Sequence, residues 1–260
     1  MDYKSIEDFK SICGYEIEGQ WYPRVTKIVS IKAKPALYRF YAKMPDFKSA
    51  EAMKEQSASE GTLVHDTIEG VLTGKNPPIP LSIRPAVEGF LRFLDENHIR
   101  VFPEYVEYRL YHPNERYAGT LDAIATIGGK TGILDIKTSQ AIYRDYNLQT
   151  SAYIAAMKDE VPRLQTRWIL RIDQDQACVW CGATLRRKGG RAVLRANGNY
   201  ADVKNCLGHE WGPLTGRIEL SEAPEWESDF QAFLAAKRLW EWEHEELLRL
   251  IGYLPLSRPF

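Results

Sequence analysis

Residues 132–140, GILDIKTSQ, place an Asp and a Lys two positions apart at the end of a short apolar run. In an extended strand, residues i and i+2 share a face. Asp135 and Lys137 therefore stand together, with Ile136 on the opposite side. An ion pair near a strand end is the ordinary use of such a pattern, so the flanking sequence has to decide its meaning.

Working outward, TGILDIKTS reads as a strand and is preceded by ERYAGTLDAIATI, a second strand. The Gly128–Gly129 pair between them is a hairpin signal. EYVEYRLYH, rich in Val and Tyr, is an earlier strand of the same meander. DYNLQTSAYIAAMKDE then reads as a helix and QTRWILRID as a fourth strand. Upstream, residues 24–30 form a short helix or an extended lead-in, and Pro35 opens a helix to about Lys43. SAEAMKEQSASEGTLVHDTIEGVLTGK is helical on both sides of Gly61, with Leu63, Val64, Ile68 and Val71 at three-to-four spacing. A further helix covers 84–97.

After Asp175 the pattern is interrupted until GRIEL at 216–220, and a Trp-rich helix closes the chain over 226–251, with Trp240 and Trp242 expected in the core. The order predicts an α/β fold: a mixed central β-sheet flanked by helices on both faces. The 260 residues read as one domain with an insertion over 176–212.

Composition sets the class of protein. At 44% hydrophobic and 12% aromatic the chain can fill a core, which excludes global disorder. No run approaches the roughly 18 apolar residues of a membrane span, and MDYKSIEDFK has no signal-peptide pattern. A cytoplasmic location without membrane partners is the expectation. The formal net charge of −1 announces no nucleic-acid partner for the whole chain. Charge is uneven, however: Arg186, Arg187, Lys188, Arg191, Arg195 and Lys204 face a single acid, Asp202. Such a local basic surface can hold a phosphate backbone.

Asp122 interrupts the second strand's apolar run and Asp135 the third's, so a hairpin brings two carboxylates close. Two such groups repel unless they share a proton or a cation, and oxygen donors favour Mg²⁺ or Mn²⁺. A lysine beside them, Lys137, can hold a water or offset charge on a phosphate. His65 in GTLVH offers a nitrogen ligand, and Gln149 and Tyr153 lie at i, i+4 on the helix after the third strand. Each element alone is commonplace; the ordered combination is specific.

That combination (GTLVH with Gly61 and His65, GTLD with Gly119 and Asp122, DIK with Asp135 and Lys137, QTSAY with Gln149 and Tyr153) resembles the RecB-like branch of the PD-(D/E)XK nucleases. This branch includes lambda-type phage exonucleases and CRISPR-associated RecB-like nucleases. The likeness covers about residues 20–175 and returns at the last strand and helix, and YPRVTKIVS is similar to the opening segment of phage members. The superfamily's Pro before the first Asp is Leu121 here.

The resemblance implies a restriction-endonuclease-like core and a DNA exonuclease acting in recombination or repair. It implies His65, Asp122, Asp135 and the Ile136 carbonyl as metal ligands. Lys137 is then the catalytic lysine, with Gln149 and Tyr153 supporting the site. Glu69 and Glu107 are at most outer acids, with a structural role the simpler reading. It also admits a recombination (annealing) protein as partner. A structure- or site-specific endonuclease and a non-catalytic zinc-stabilised DNA-binding module remain alternatives. GGKT at 128–131 is no phosphate loop, because Ile124 stands where that motif needs Gly.

Four cysteines without a secretory signal point to metal or free thiols rather than disulfides. Cys178 and Cys181 form CxxC followed by Gly182, and Cys206 and His209 form CxxH, with twenty-four residues between the two pairs. Two short-spaced pairs are the usual supply for tetrahedral zinc. A rival set is a [4Fe–4S] cluster on Cys13, Cys178, Cys181 and Cys206, as in some RecB-like nucleases. Arg186, Arg187, Lys188, Arg191 and Arg195 fall between the zinc pairs and become candidates for DNA backbone contact.

Overall fold

A computed structural model describes residues 3–197 and 200–255. In chain order the elements are α1 (Ile6–Cys13), β1 (Gly14–Ile17), β2 (Gln20–Pro23), α2 (Val25–Val29), α3 (Pro35–Tyr41), α4 (Phe47–Leu72) and α5 (Arg84–Glu96). Then come β3 (Arg100–Val101), β4 (Tyr108–His112), β5 (Tyr117–Leu121), β6 (Ala123–Ile127), β7 (Lys130–Lys137), α6 (Asp145–Met157) and β8 (Leu164–Cys178). The last are β9 (Thr184–Lys188), β10 (Arg191–Arg195), α7 (Tyr200–Asn205), β11 (Trp211–Glu222), α8 (Glu227–Glu243) and α9 (Glu245–Leu250). Among the described residues no helix is long and apolar enough to cross a membrane.

The central sheet runs β10-β9-β8-β7-β6-β3, with β11 paired to β8. It is mixed: β7 and β8 are parallel, whereas β6–β7, β8–β9 and β8–β11 are antiparallel. The β6–β7 turn needs positive φ at both central residues, which Gly128 and Gly129 supply at 55° and 81°. Because β7 alternates, Ile133 enters one core with Tyr153, Ile154 and Phe233, while Leu134 and Ile136 enter another with Val64, Ile68 and Phe90. Helices α6 and α8 thus cover one face and α4 and α5 the other. Each such fully buried aliphatic contributes about 1.5–3 kcal/mol, so a slip of one residue in β7 would empty both cores.

Three expectations need correction. The second strand is not continuous: it breaks at Asp122 into β5, paired with β4 in a separate two-stranded sheet, and β6, paired with β7. The Asp122 carbonyl accepts the Glu107 N–H at 3.0 Å instead of continuing the ladder. The segment 176–212 is not stripped of regular structure either. β8 runs on to Cys178, and the β9–β10 hairpin extends the central sheet from it. Finally, the closing helix is divided at His244, and of Trp240 and Trp242 only Trp240 is buried, Trp242 being 71% exposed.

A buried arginine missed in the sequence ties the sheet to α8. Arg167 on β8 donates to the carbonyls of Ala223, Asn147 and Glu225 and pairs with Asp229. Each of its three nitrogens thereby finds an acceptor, as burial of a guanidinium requires.

Candidate metal centre

Four elements converge at the C-terminal end of β7. Asp135 and Lys137 project on the α6 side, as alternation requires, and Lys137 Nζ lies 2.5 Å from Asp135 Oδ2. Gln149 on α6 donates to Asp135 Oδ1 at 3.2 Å and to the Tyr153 hydroxyl at 3.0 Å. Asp122, at the break between β5 and β6, lies beyond the Ala123–Leu134 pair, and its Oδ2 accepts the Ile136 N–H at 2.5 Å.

His65 arrives from α4, whose close approach depends on Gly61: a Cβ there would stand 2.7 Å from Thr138 Oγ1. Gly119 serves the other side, since a Cβ would lie 2.5 Å from the Tyr153 ring. The two glycines of the sequence pattern are thus explained by sterics rather than by backbone φ.

Ligand atoms of His65, Glu107 and Asp122 all lie within 4.8 Å of one another. Glu107 is the main surprise. Read from the sequence as structural or at most an outer acid, it is an exposed residue at a positive φ of 50°, tethered by its N–H to the Asp122 carbonyl, with its carboxylate beside His65 and Asp122. Nothing local in the sequence marks it. Asp135 stands beside this trio, held by Lys137 and Gln149. Glu69 stays outside, with Lys75 Nζ at 3.4 Å. Ile136 takes part through its N–H, its side chain going to the opposite core. Tyr146, unremarked in the sequence, puts its ring 5.2 Å from Lys137 Nζ; it shares the α6 face of Gln149 and Tyr153 and could have been found by that spacing.

Electrostatics mark the cluster as short of positive charge. Burial pushes the Asp135 carboxyl up to about 6, against the pull of Lys137. Burial also raises Asp122, opposed by Lys137 and the Ile136 N–H. Desolvation, with Asp122, Glu69 and Asp66 nearby, pushes Glu107 up to about 7. His65 is lowered by burial and by Lys137, which keeps its imidazole neutral and free to ligate. Burial disfavours the Lys137 ammonium, but Asp135 and Asp122 more than compensate and its pKa is raised. Three carboxyls held above their ordinary range around a neutral imidazole make a donor set that a hard divalent cation would relieve.

A second convergence joins Cys178, Cys181, Cys206 and His209, whose ligand atoms also lie within 4.8 Å of one another. The first pair sits on a tight turn: Gly182 N–H donates to the Cys178 carbonyl at 3.0 Å, with Gly182 at φ 68°. Burial works against the Cys178 thiolate, yet the N–H groups of Cys181 and Trp180 bring its pKa down to about 6. Cys13 is not part of this group. It is buried in the core with Phe9 and donates to the Tyr3 hydroxyl at 3.2 Å, so the four-cysteine set is not assembled.

The basic residues divide. Arg186 is buried and donates to Asp173 at 2.6 Å, which corrects its expected role as a DNA contact. Lys188 Nζ is spent on the Thr138 carbonyl at 2.6 Å, and burial and Arg186 bring its pKa down to about 8. Arg195 donates to the Gln140 carbonyl at 3.0 Å. Arg187 and Arg191 remain exposed on the hairpin.

No family model matches the sequence, and no curated protein matches it. Among solved structures, one titled "Crystal structure of SSO0001" is similar over 91% of this chain and 87% of that chain, at 13% identity and a TM-score of 0.34.

Proposed function

We propose that this chain is a Mg²⁺- or Mn²⁺-dependent DNA nuclease, an exonuclease of the RecB-like PD-(D/E)XK type with a restriction-endonuclease-like core. The observation that carries the reading is the meeting of His65, Glu107 and Asp122 beside the Asp135–Lys137 pair. The donor set fits a hard cation: one neutral nitrogen, carboxylates raised by burial, and Asp135 Oδ2 with no well-aligned hydrogen bond. His65, Asp122, Asp135 and the Ile136 carbonyl would hold the ion, with Glu107 added to the set. When bound, the ion supplies charge neutralisation and Lewis acidity toward a phosphodiester.

The chain's own residues do the rest. Lys137, kept charged by Asp135 and Asp122, faces the site as a cation for the scissile phosphate and its attacking water. Gln149 holds Asp135 Oδ1, which leaves Oδ2 to the Lys137 ammonium and the site. Tyr153 anchors Gln149 from within the core.

The Cys178, Cys181, Cys206 and His209 group fits structural zinc, which takes four S and N donors. In this reading zinc staples the segment whose hairpin carries Arg187 and Arg191. Digestion of end-labelled linear and circular DNA with Mg²⁺ or Mn²⁺ tests the function. Loss of label from linear DNA alone marks an exonuclease, nicking of circles an endonuclease, and no loss in either overturns catalysis.

A further inference from the structure

The segment from Lys27 to Lys48 holds Lys27, Lys32, Lys34, Arg39, Lys43 and Lys48 against one acid, Asp46. Within it α3 buries no residue at all. Yet the segment is aromatic: Tyr38 is 59% and Phe47 71% exposed. Tyr41 and Phe47 stack at 5.5 Å with their planes 13° apart. A helix that contributes nothing buried to the core, yet stacks its last ring on the first residue of α4 among cations, has a surface to present.

That surface continues into the β9–β10 hairpin. The Arg191 guanidinium lies 5.6 Å from the centre of the Phe40 ring. The hairpin turn is seated on α4, where a Cβ on Gly189 would stand 2.7 Å from Ser57 Cβ, and the Gly189 N–H donates to Glu60 at 3.0 Å. Beside the turn lies a cleft of about 280 Å³ bordered by Arg187, Lys188 and Arg191. A second cleft, of about 420 Å³, shares Glu60, Arg187 and Lys188 with it and reaches Thr138, the residue after Lys137. Aromatic faces for bases, cations for phosphates and a connected groove are the parts of a single-strand path.

We infer that α3, the start of α4 and the β9–β10 hairpin form a binding surface for single-stranded nucleic acid, with Tyr38, Phe40, Tyr41 and Phe47 stacking bases and Arg191 holding backbone. Lys32 is paired with Asp145 and Glu51 with Lys54, but Lys34, Arg39, Lys43, Lys48 and Arg191 stand outside the ion pairs found among the described residues, and their charge selects this occupant. The destination of the strand rests on the nuclease reading; the binding does not.

The test therefore uses the full chain with no added Mg²⁺ or Mn²⁺ and no chelator, so that cleavage is not supported and a zinc staple of the hairpin is kept. Anisotropy of a short fluorescein-labelled oligothymidylate should show binding, and Tyr38→Ala/Phe47→Ala should weaken it by about tenfold or more. Arg191→Ala should make the salt dependence shallower, by about 0.7 for each phosphate that the guanidinium neutralises. Both rings are exposed, so the variant should fold, checked by circular dichroism; Tyr38→Phe/Phe47→Trp should restore affinity. Unchanged oligothymidylate affinity in the alanine variant overturns the surface, even if the protein degrades DNA. So does the variant losing only attachment to phosphatidylserine vesicles or only self-association. Binding that depends on the rings in a protein inert with Mg²⁺ and Mn²⁺ supports the surface and overturns the nuclease reading alone.

Discussion

The Ile136 amide donates to Asp122 Oδ2 at 2.5 Å, linking the break between β5 and β6 to the strand that carries Asp135 and Lys137. Through it the two acids are set by backbone rather than by flexible side chains. Asp122→Asn keeps an acceptor for that amide while removing a charge. Mg²⁺-dependent DNA degradation should fall by about 100-fold or more, with melting temperature unchanged or higher. Lys137→Ala should lose activity to a similar degree. Intact degradation in either variant would overturn the catalytic role proposed for these residues.

The raised carboxyls predict how pH acts on the metal-free protein. Glu107 is held up to about 7 and Asp135 to about 6, both above their unfolded values. Between the unfolded and folded pKa the native state binds more protons, so stability falls as pH rises from about 5 to 7. Adding Mn²⁺ should raise the melting temperature more at pH 8 than at pH 5, and Glu107→Gln should flatten the metal-free slope. Calorimetry across that range, with and without Mn²⁺, reads both; a slope of opposite sign contradicts the arrangement.

Purified protein should contain near one zinc per chain and show no iron absorbance. Cys181→Ser should lose the metal and destabilise the region around β9 and β10, seen as faster amide exchange there. Cys13→Ser should leave metal content unchanged, because Cys13 sits in a separate core. Brown protein bleached by that substitution would reverse the assignment.

Gly119→Ala should cost about 1–3 kcal/mol in urea unfolding, since its Cβ would stand within 2.5 Å of the Tyr153 ring. Activity should fall with it, because Tyr153 anchors Gln149 and thereby Asp135. Adding Tyr153→Ala to Gly119→Ala should relieve the clash and make the two costs non-additive.

Much of this arrangement was legible in the chain itself. Strand alternation alone put Asp135 and Lys137 on one face and Ile136 on the other, and helical spacing aligned Gln149 with Tyr153. The CxxC and CxxH pairs announced their own convergence. These are local periodicities, and the backbone geometry that expresses them does not depend on distant partners. Glu107, Arg186 and Arg167 were not legible. Glu107 enters the cluster only because the chain swerves at Asp122 and turns through positive φ. Arg186 leaves the surface only because Asp173, on the neighbouring strand, neutralises it. Arg167 is buried only because three carbonyls and Asp229 meet its donors. A side chain's own sequence neighbourhood sets which way it points; whether a charge is exposed, paired or gathered with other carboxylates is set by groups that folding brings from elsewhere, and only the tertiary structure holds them.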